Sequence, residues 1–278
     1  MSSFSLRVAG AVALAIALPF AVTACGGGGG GDENSIVIGT KFDQPGLGLK
    51  NPDGKMSGFD VDVATYVAKE LGYPADKIEW KESPSGQRET LIQNDQVKFI
   101  AATYSITDAR KEKVSFAGPY FVAGQDLLIR SDDASITGPD SLDGKKLCSV
   151  KGSTSAQKVK DKYPGVQLQE FGTYSECLPA LATGGVDALT TDDTILAGYA
   201  AQPEFKGKFK VVGKTFSTER YGVGLKKGDT ETCTKVNDAL KKMVDSGEWQ
   251  KAFDKNLGSS GLKLDPATNP PKTFDACA

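Results

Sequence analysis

Apolar residues recur every four positions in the stretch FDVDVATYVAKELG, at Phe59, Val63, Val67 and Leu71. This spacing is typical of a helix with one buried face, and Gly72 predicts where the helix ends. Around it, short apolar runs predict strands at 36–39, 77–81 and 99–102, and a further helix at 87–94. Because strands and helices alternate, we expect an α/β unit in which helices cover a parallel sheet.

A second alternating series follows a segment rich in Ser, Asp and Gly at 131–143. The runs KKLCSV, VQLQEF and VDALTTDD predict strands, and GSTSAQKVKDKY and SECLPALATGG predict helices between them. A strand at 221–229 and helices at 232–246 and 248–256 complete the pattern. The chain is therefore expected to contain two α/β lobes.

The first 25 residues predict an export signal. Arg7 is followed by an apolar run at 8–20 that is short for a membrane span, and small residues then lead to Cys25. The ending AVTAC resembles the lipobox of bacterial lipoproteins, in which the cysteine is acylated; an ordinary cleaved signal with a chance cysteine is the alternative. We predict a signal peptide at 1–24, and a lipidated Cys25 with a flexible glycine-rich tether at 25–35.

Composition narrows the possible chemistry. The 278 residues include 33 basic and 35 acidic side chains, so no overall charge favours nucleic acid. The absence of histidine excludes Ser-His and Cys-His nucleophiles and His-liganded metals. Cys148, Cys177, Cys233 and Cys277 remain after the signal, and in an exported chain they predict two disulfides with three possible connectivities. Their wide spacing argues against a zinc site.

Arg110 lies in the stretch SITDARKEKVSFAGPYF, from Ser105 to Phe121. The main question about this stretch is which group the Arg110 guanidinium binds. One interpretation is a solvated residue in a charged helix start. The other is a binding corner. Thr103 and Ser105 leave a strand, and the following helix start offers free N–H groups beside a guanidinium, which suits a carboxylate.

This stretch is similar to the most recognisable segment of the bacterial polar amino-acid-binding proteins that serve ABC importers. Four more stretches match that family in the same order: GKMSGFDVDVATYVAKELG, GSTSAQ, GGVDALTTDD and DSGEWQKAFDKNLG. The resemblance covers about residues 36–258 and is strongest to the glutamate-binding lipoproteins of actinobacteria. It implies a type II periplasmic-binding-protein fold of class α/β, with two lobes of helix-flanked sheet joined by two crossover strands.

The resemblance also implies how a ligand's amino-acid head is bound. Arg110 would pair with the α-carboxylate, and Thr103 and Ser105 would bond to the head. Asp192 would accept the α-ammonium. A helix N-cap is the alternative role for Asp192, although Asp193 is the better capping candidate.

Other matching positions concern the ligand side chain. Lys41 and Arg88 match positions at which glutamate- and aspartate-binding relatives place cations, which favours an acidic ligand. Ser85, Thr154 and Tyr174 match polar cleft positions, although each could equally be a surface or capping residue. The stretch KFDQPGLGLKNPDG lacks the aromatic and proline pair that many relatives carry there, so the roles of Phe42 and Asp43 stay open.

The family fold implies lobe 1 at 36–127 plus 217–278 and lobe 2 at 128–216. Under this division, pairing Cys148 with Cys177 and Cys233 with Cys277 keeps each disulfide within one lobe, whereas either cross-pairing would join the lobes.

The function implied is that of an extracytoplasmic substrate-binding lipoprotein of an ABC amino-acid importer, and not of an enzyme. It would bind L-glutamate, with aspartate or glutamine as alternatives, by closing its cleft, and deliver the ligand to the permease. The resemblance implies a monomer without cofactor or metal, held on the outer face of the cytoplasmic membrane only by its lipid. The rival functions are a small-carboxylic-acid dehydratase, with Asp192 or Glu219 as acid or base, and an amino-acid sensor without transport.

Overall fold

The computed structural model describes residues 35–277. The predicted signal peptide, the lipidated Cys25 and nearly all of the tether lie outside the described residues. The strands are β1 (Ile36–Thr40), β2 (Asp43–Gln44), β3 (Gly48–Lys50), β4 (Met56–Ser57), β5 (Ile78–Glu82), β6 (Phe99–Ile100), β7 (Ser115–Ala123), β8 (Gln125–Arg130), β9 (Lys146–Val150), β10 (Gln167–Phe171), β11 (Ala188–Asp192), β12 (Phe209–Val211) and β13 (Glu219–Leu225). The helices are α1 (Phe59–Glu70), α2 (Arg88–Gln93), α3 (Asp108–Lys111), α4 (Thr154–Lys162), α5 (Cys177–Ala182), α6 (Asp193–Ala200), α7 (Thr230–Asp245) and α8 (Glu248–Asn256).

Two five-stranded sheets organise the chain. The first has the order β5-β1-β6-β13-β7 and the second the order β10-β9-β11-β8-β12. We call the parts built on them the first lobe and the second lobe. Helices α1, α2, α3, α7 and α8 belong to the first lobe, and α4, α5 and α6 to the second. This arrangement confirms the predicted α/β class.

The sheets are mixed, whereas the sequence pattern predicted a parallel sheet. Strands β5, β1 and β6 pair in parallel, as do β10, β9 and β11. Strand β13 is antiparallel to β6 and β7, and β8 is antiparallel to β11 and β12. The antiparallel strands flank the segments that pass from one sheet to the other, and alternation along the chain does not encode that reversal.

The chain changes sheet twice, at Gly124 between β7 and β8 and in residues 212–218 between β12 and β13. The two crossing segments touch, because Phe216 N donates to Gln125 O at 2.9 Å. The lobe boundaries predicted after residues 127 and 216 remain a prediction about which segments move together.

Helix α1 has the buried face that its periodicity predicts. Phe59, Val63 and Val67 have no exposed surface. The Phe59 ring meets the Trp249 ring edge-on, with ring centroids 5.3 Å apart. Burying each such side chain contributes roughly 1.5–3 kcal/mol, so α1 is fixed to the lobe that carries it.

Each disulfide of the structure lies within a single lobe and does not join the two lobes. Cys148 joins Cys177 in the second lobe, and Cys233 joins Cys277 in the first. This is the connectivity expected from the two-lobe division, and it leaves the segments that cross between the sheets unconstrained. In the part of the chain that the structure describes, no helix combines the length and apolar character that crossing a bilayer requires.

Candidate functional site

A small, polar cavity lies between the two lobes, and side chains from both lobes line it. We call it the cleft cavity, and its lining residues are Ser85, Arg88, Thr103, Arg110, Ser153, Thr154, Ser155, Tyr174, Asp192 and Ile195. Seven of the nine predicted ligand-binding residues are in this set, and Lys41 and Ser105 are not.

Arg110 is held in the cavity wall by the turn that starts α3. Thr107 is the N-cap of this short helix, and its side chain accepts a hydrogen bond from Arg110 N at 3.3 Å. The guanidinium donates to Ser105 O at 2.8 Å and, across the cleft, to Gly152 O at 3.2 Å. Its Nε lies 3.4 Å from a carboxylate oxygen of Glu89. Arg110 is therefore buried and oriented rather than solvated.

Arg88 is the first residue of α2 and is also buried. Its Nε donates to Ser83 O at 3.2 Å, and its guanidinium stacks over the Tyr104 ring at 5.1 Å. Burial and the nearby charge of Arg110 both lower the pKa of Arg88. Among residues 35–277 no carboxylate forms an ion pair with it, so this wall carries a desolvated cation that an anionic ligand would stabilise.

Asp192 ends β11 on the opposite wall. Tyr221, from the first lobe, donates its hydroxyl hydrogen to Asp192 Oδ2 at 2.7 Å. The other oxygen, Oδ1, is buried and has no hydrogen-bond donor among the described residues. Burial, reinforced by the charge of Glu219, raises the pKa of Asp192 well above its ordinary value. A ligand ammonium at Oδ1 would reverse that shift by pairing with the carboxylate.

The capping alternative for Asp192 fails on geometry. Asp192 occupies the N-cap position of α6, but its side chain makes no capping hydrogen bond. Asp193 Oδ1 instead accepts from Thr194 N at 2.7 Å and from Gly124 N at 3.3 Å. The buried carboxylate of Asp192 is therefore left for the cavity.

Thr103 follows β6 and has an unusual backbone. Its φ is +47°, a left-handed conformation that costs L-residues energy. Its N–H donates to Asp60 Oδ2 at 2.8 Å, while its hydroxyl donates to Ala102 O at 2.6 Å. The hydroxyl thus has a partner within the first lobe.

The three remaining predicted liners reach the cavity from both lobes. Ser85 lies in the loop before α2. Thr154 begins α4, and its hydroxyl donates to Glu219 Oε2 at 3.1 Å across the cleft. Tyr174 is buried, and burial raises the pKa of its phenol. All three are polar side chains at the cleft rather than surface residues.

Lys41 does not line the cavity, contrary to the position that the sequence predicts for it. The side chain has no exposed surface, and its Nζ lies 3.0 Å from Asp43 Oδ1 without a well-aligned hydrogen bond. Burial lowers the pKa of Lys41, and the charge of Asp43 opposes this shift. The Asp43 carboxylate oxygen Oδ2 and backbone O also accept from the Tyr199 hydroxyl, at 3.1 and 2.8 Å. Asp43, whose role the sequence left open, therefore neutralises Lys41 and contacts the second lobe.

Ser105 also lies behind the cavity wall. Its backbone O accepts from Arg110, and its hydroxyl is 3.4 Å from that of Thr154. Ser105 therefore supports two cavity residues instead of facing the cavity itself.

Glu219 connects the lobes beside the cavity. Its side chain is 1% exposed and forms an ion pair with Lys158 of α4. The Ser217 hydroxyl donates to it at 2.6 Å. Although burial acts to raise the pKa of Glu219, the bonds from Lys158 and Ser217 outweigh burial and lower it. Glu219 is thus an acid bonded to both lobes, and it does not line the cavity.

Sequence reasoning missed several residues at the site. Ser153, Ser155 and Ile195 line the cavity, and Tyr221 bonds to Asp192. Ser153 had a recognisable signal, because a serine after a glycine turn is a typical N-cap, and its hydroxyl accepts from Ala156 N at 3.0 Å. The others depend on how the lobes dock, which no local pattern encodes. Within residues 35–277, no group of three or more acidic or cysteine side chains is placed to hold a metal.

Comparisons with known proteins agree with this architecture. The family model of bacterial extracellular solute-binding proteins, family 3, matches residues 36–259. The glutamate-binding protein GluB of Corynebacterium glutamicum is 52% identical over 276 residues, covering 93% of this chain and 92% of that protein. The ABC transporter glutamine-binding protein GlnH of Bacillus subtilis is 38% identical over 237 residues, covering 85% and 84%.

A solved structure has the same fold. The ancestral amino acid-binding protein AncCDT-1, a precursor of cyclohexadienyl dehydratase, aligns with a TM-score of 0.72 and 30% identity, covering 81% of this chain and 95% of that one. Two mixed sheets, a cavity between them and a family match across both lobes lead to one conclusion. The chain belongs to family 3 of the bacterial extracellular solute-binding proteins.

Proposed function

We propose that this protein is the substrate-binding lipoprotein of an ABC amino-acid importer, binding L-glutamate by cleft closure and delivering it to the permease. The names of the Corynebacterium and Bacillus relatives support an amino acid as ligand, the first as glutamate and the second as glutamine. Charge at the cleft cavity favours glutamate over glutamine, and this is the observation that carries the proposal.

The cavity-lining set contains three charged residues, Arg88, Arg110 and Asp192, and so has a net charge of one positive unit. Glutamate has two carboxylates and one ammonium, so each of the three would find an opposite charge. Glutamine would leave a buried guanidinium without an anion, and an unpaired buried charge is strongly unfavourable. Aspartate has the same charges as glutamate but a shorter reach between its carboxylates.

The roles follow from the two walls. Arg110 takes the α-carboxylate because its planar guanidinium is fixed by Ser105 O and Gly152 O. Asp192 Oδ1 takes the α-ammonium because it is a buried acceptor that lacks a donor. Arg88 then faces the distal carboxylate, with Ser85, Thr154 and Tyr174 as polar neighbours. Lys41, neutralised by Asp43, acts on the ligand only indirectly.

In this proposal, closure of the cleft tells the permease that a ligand is bound. Arg110 and Asp192 belong to different lobes, so only the closed arrangement provides both ends of the amino-acid head with partners. A ligand that contacts both lobes shifts the equilibrium toward the closed form by its differential affinity. The permease would then recognise the closed form.

The remaining assignments complete the proposal. Cys25 would carry the lipid that holds a monomer at the outer face of the cytoplasmic membrane, with the glycine-rich tether as a spacer. Binding without turnover is proposed because a single carboxylate, Asp192, lines the cavity, and because the chain has no histidine.

Calorimetry of the mature chain with a panel of amino acids tests the proposal. Glutamate should bind most tightly. Arg110→Ala and Asp192→Ala should each weaken binding at least roughly thirtyfold, because truncating one partner of a buried charge pair costs about 2–5 kcal/mol. Arg220→Ala is the matched control, since it removes a guanidinium that pairs with Asp275 outside the cavity. A wild-type protein that binds no amino acid, or an Arg110→Ala variant with unchanged affinity, would refute the proposal. NMR of the recovered ligand would reveal any turnover.

A further inference from the structure

Asp60 is a buried acid that none of the preceding assignments uses. It is the second residue of α1, in the segment GFDVDVA, and has no exposed surface. Its two carboxylate oxygens have separate donors: Oδ2 accepts from Thr103 N at 2.8 Å, and Oδ1 accepts from the Tyr120 hydroxyl at 2.7 Å. Asp60 does not line the cleft cavity, but it bonds directly to a residue that does.

The residue that Asp60 holds is under conformational strain. In residues 35–277, only Asp95 and Thr103 are non-glycine residues with positive φ. Asparagine and aspartate tolerate this region, whereas a β-branched threonine does not. The strain at Thr103 lies at a cavity residue, two positions before Ser105 and seven before Arg110. The strained residue therefore begins the short segment that leads to Ser105 and Arg110.

A buried carboxylate is an energetically unfavourable acceptor for a backbone N–H, because burial disfavours its charged form. Burial raises the pKa of Asp60 to about 6, and its hydrogen bonds from Tyr120 and Thr103 only partly oppose the shift. A buried charge is costly unless it is hydrogen-bonded, and both oxygens of Asp60 accept a hydrogen bond. A charge-assisted bond to Thr103 N is about twice as strong as a neutral one. Its position at the N-terminus of α1 adds a favourable helix dipole.

We propose that Asp60 is a positioning residue for the ligand site. By accepting a hydrogen bond from Thr103 N, it keeps the Thr103 backbone in its left-handed conformation, and this conformation sets the direction of the segment that carries Ser105 and Arg110. The inference rests on the proposed function, because it concerns the amino-acid head at the same cavity. It predicts that Asp60 affects all amino-acid ligands equally, since every one of them has the same head.

A double-mutant cycle separates positioning from mere stability. Asp60→Ala should weaken glutamate and glutamine binding by the same factor, roughly 5- to 30-fold, which corresponds to about 1–2 kcal/mol of left-handed strain. Thr103→Gly removes the strain because glycine adopts positive φ freely. The double variant should therefore bind within roughly threefold of Thr103→Gly alone. Asp62→Ala is the matched control, since it removes another acid from the first turn of α1, one that pairs with Lys255 instead of Thr103, and it should leave affinity within roughly threefold of wild type.

The outcomes are distinct. The positioning role is overturned if Asp60→Ala has unchanged affinity, or if it loses affinity and Thr103→Gly does not relieve that loss. The proposed function is decided separately, by the titrations of the wild type and of Arg110→Ala. Should Asp60→Ala not fold, Asp60→Leu, which has a similar side-chain length but no acceptor, gives the same comparison with and without Thr103→Gly. An Asp60→Leu variant with weakened binding that Thr103→Gly relieves supports the proposal, and an Asp60→Leu variant that binds like wild type overturns it. A wild-type protein that binds no amino acid overturns both proposals.

Discussion

Asp193 offers a quantitative test of the electrostatics at the point where the lobes join. It is the first residue of α6, and its Oδ1 accepts from Gly124 N, the residue at which the chain first changes sheet. It also lines an open pocket of about 200 Å³ together with Thr215 and Ser217. Burial raises the pKa of Asp193 to about 6, and the bonds from Gly124 and Thr194 only partly oppose this shift.

The sign of the effect follows from linkage. A raised pKa means that the native state binds the proton more tightly than the unfolded state, whose carboxyl has its ordinary value of 3.8. Native stability from this group is therefore lost as pH rises from 3.8 to about 6, and the loss is complete above that range. At about 1.4 kcal/mol per pH unit, the full effect is about 3 kcal/mol.

Asp193→Asn should remove this penalty, because the amide keeps an oxygen to accept from Gly124 N but does not ionise. Urea unfolding should show the variant more stable than wild type by about 1 kcal/mol at pH 4.5 and about 3 kcal/mol at pH 7.5. The control is Asp161→Asn, at an exposed aspartate of the same lobe. A stability difference that does not change with pH, or a variant less stable than wild type at pH 7.5, would show that the argument from burial is incorrect.

Three further outcomes are expected. In calorimetry, Arg88→Gln should weaken glutamate binding at least roughly thirtyfold but glutamine binding less than tenfold, because only glutamate has a distal carboxylate that pairs with Arg88. Equal losses for the two ligands would show that another residue binds the distal carboxylate. Lys158→Met should weaken glutamate binding roughly tenfold, because the closed form loses a charge-assisted bond to buried Glu219. The control Lys160→Met, on the exposed face of the same helix, should leave glutamate binding unchanged. Replacing Cys233 and Cys277 together by Ser should lower stability by up to about 4 kcal/mol for the 44-residue separation. Glutamate affinity should stay unchanged, and altered affinity would contradict confinement of that bridge to one lobe.

Local patterns in the sequence predicted most of the fold. The four-residue repeat of α1 and the alternating elements gave two α/β lobes, because each depends on a face that must be buried. The antiparallel strands were not predicted, because the direction of β13 and β8 depends on how the chain passes between sheets. The small sheet of β2, β3 and β4 was also missed, since its strands have two or three residues each.

The site was predictable where a motif carries it and unpredictable where it depends on long-range pairing. Arg110 and Asp192 line one cavity, as the matched motifs implied. Lys41 was placed in the cavity by the sequence, yet its ammonium is taken by Asp43 two residues later. The bond between Asp60 and Thr103 spans 43 positions, and no spacing rule connects them.

The close approach of the lobes at Gly152 has a consequence for how a bound molecule can leave. Gly152 has a φ of +78°, and a Cβ on it would lie only 2.6 Å from Gly86 Cα across the cleft. With backbone meeting backbone at this edge, side-chain rotation alone cannot open an exit there. A bound molecule can therefore leave past this edge only when the two lobes separate.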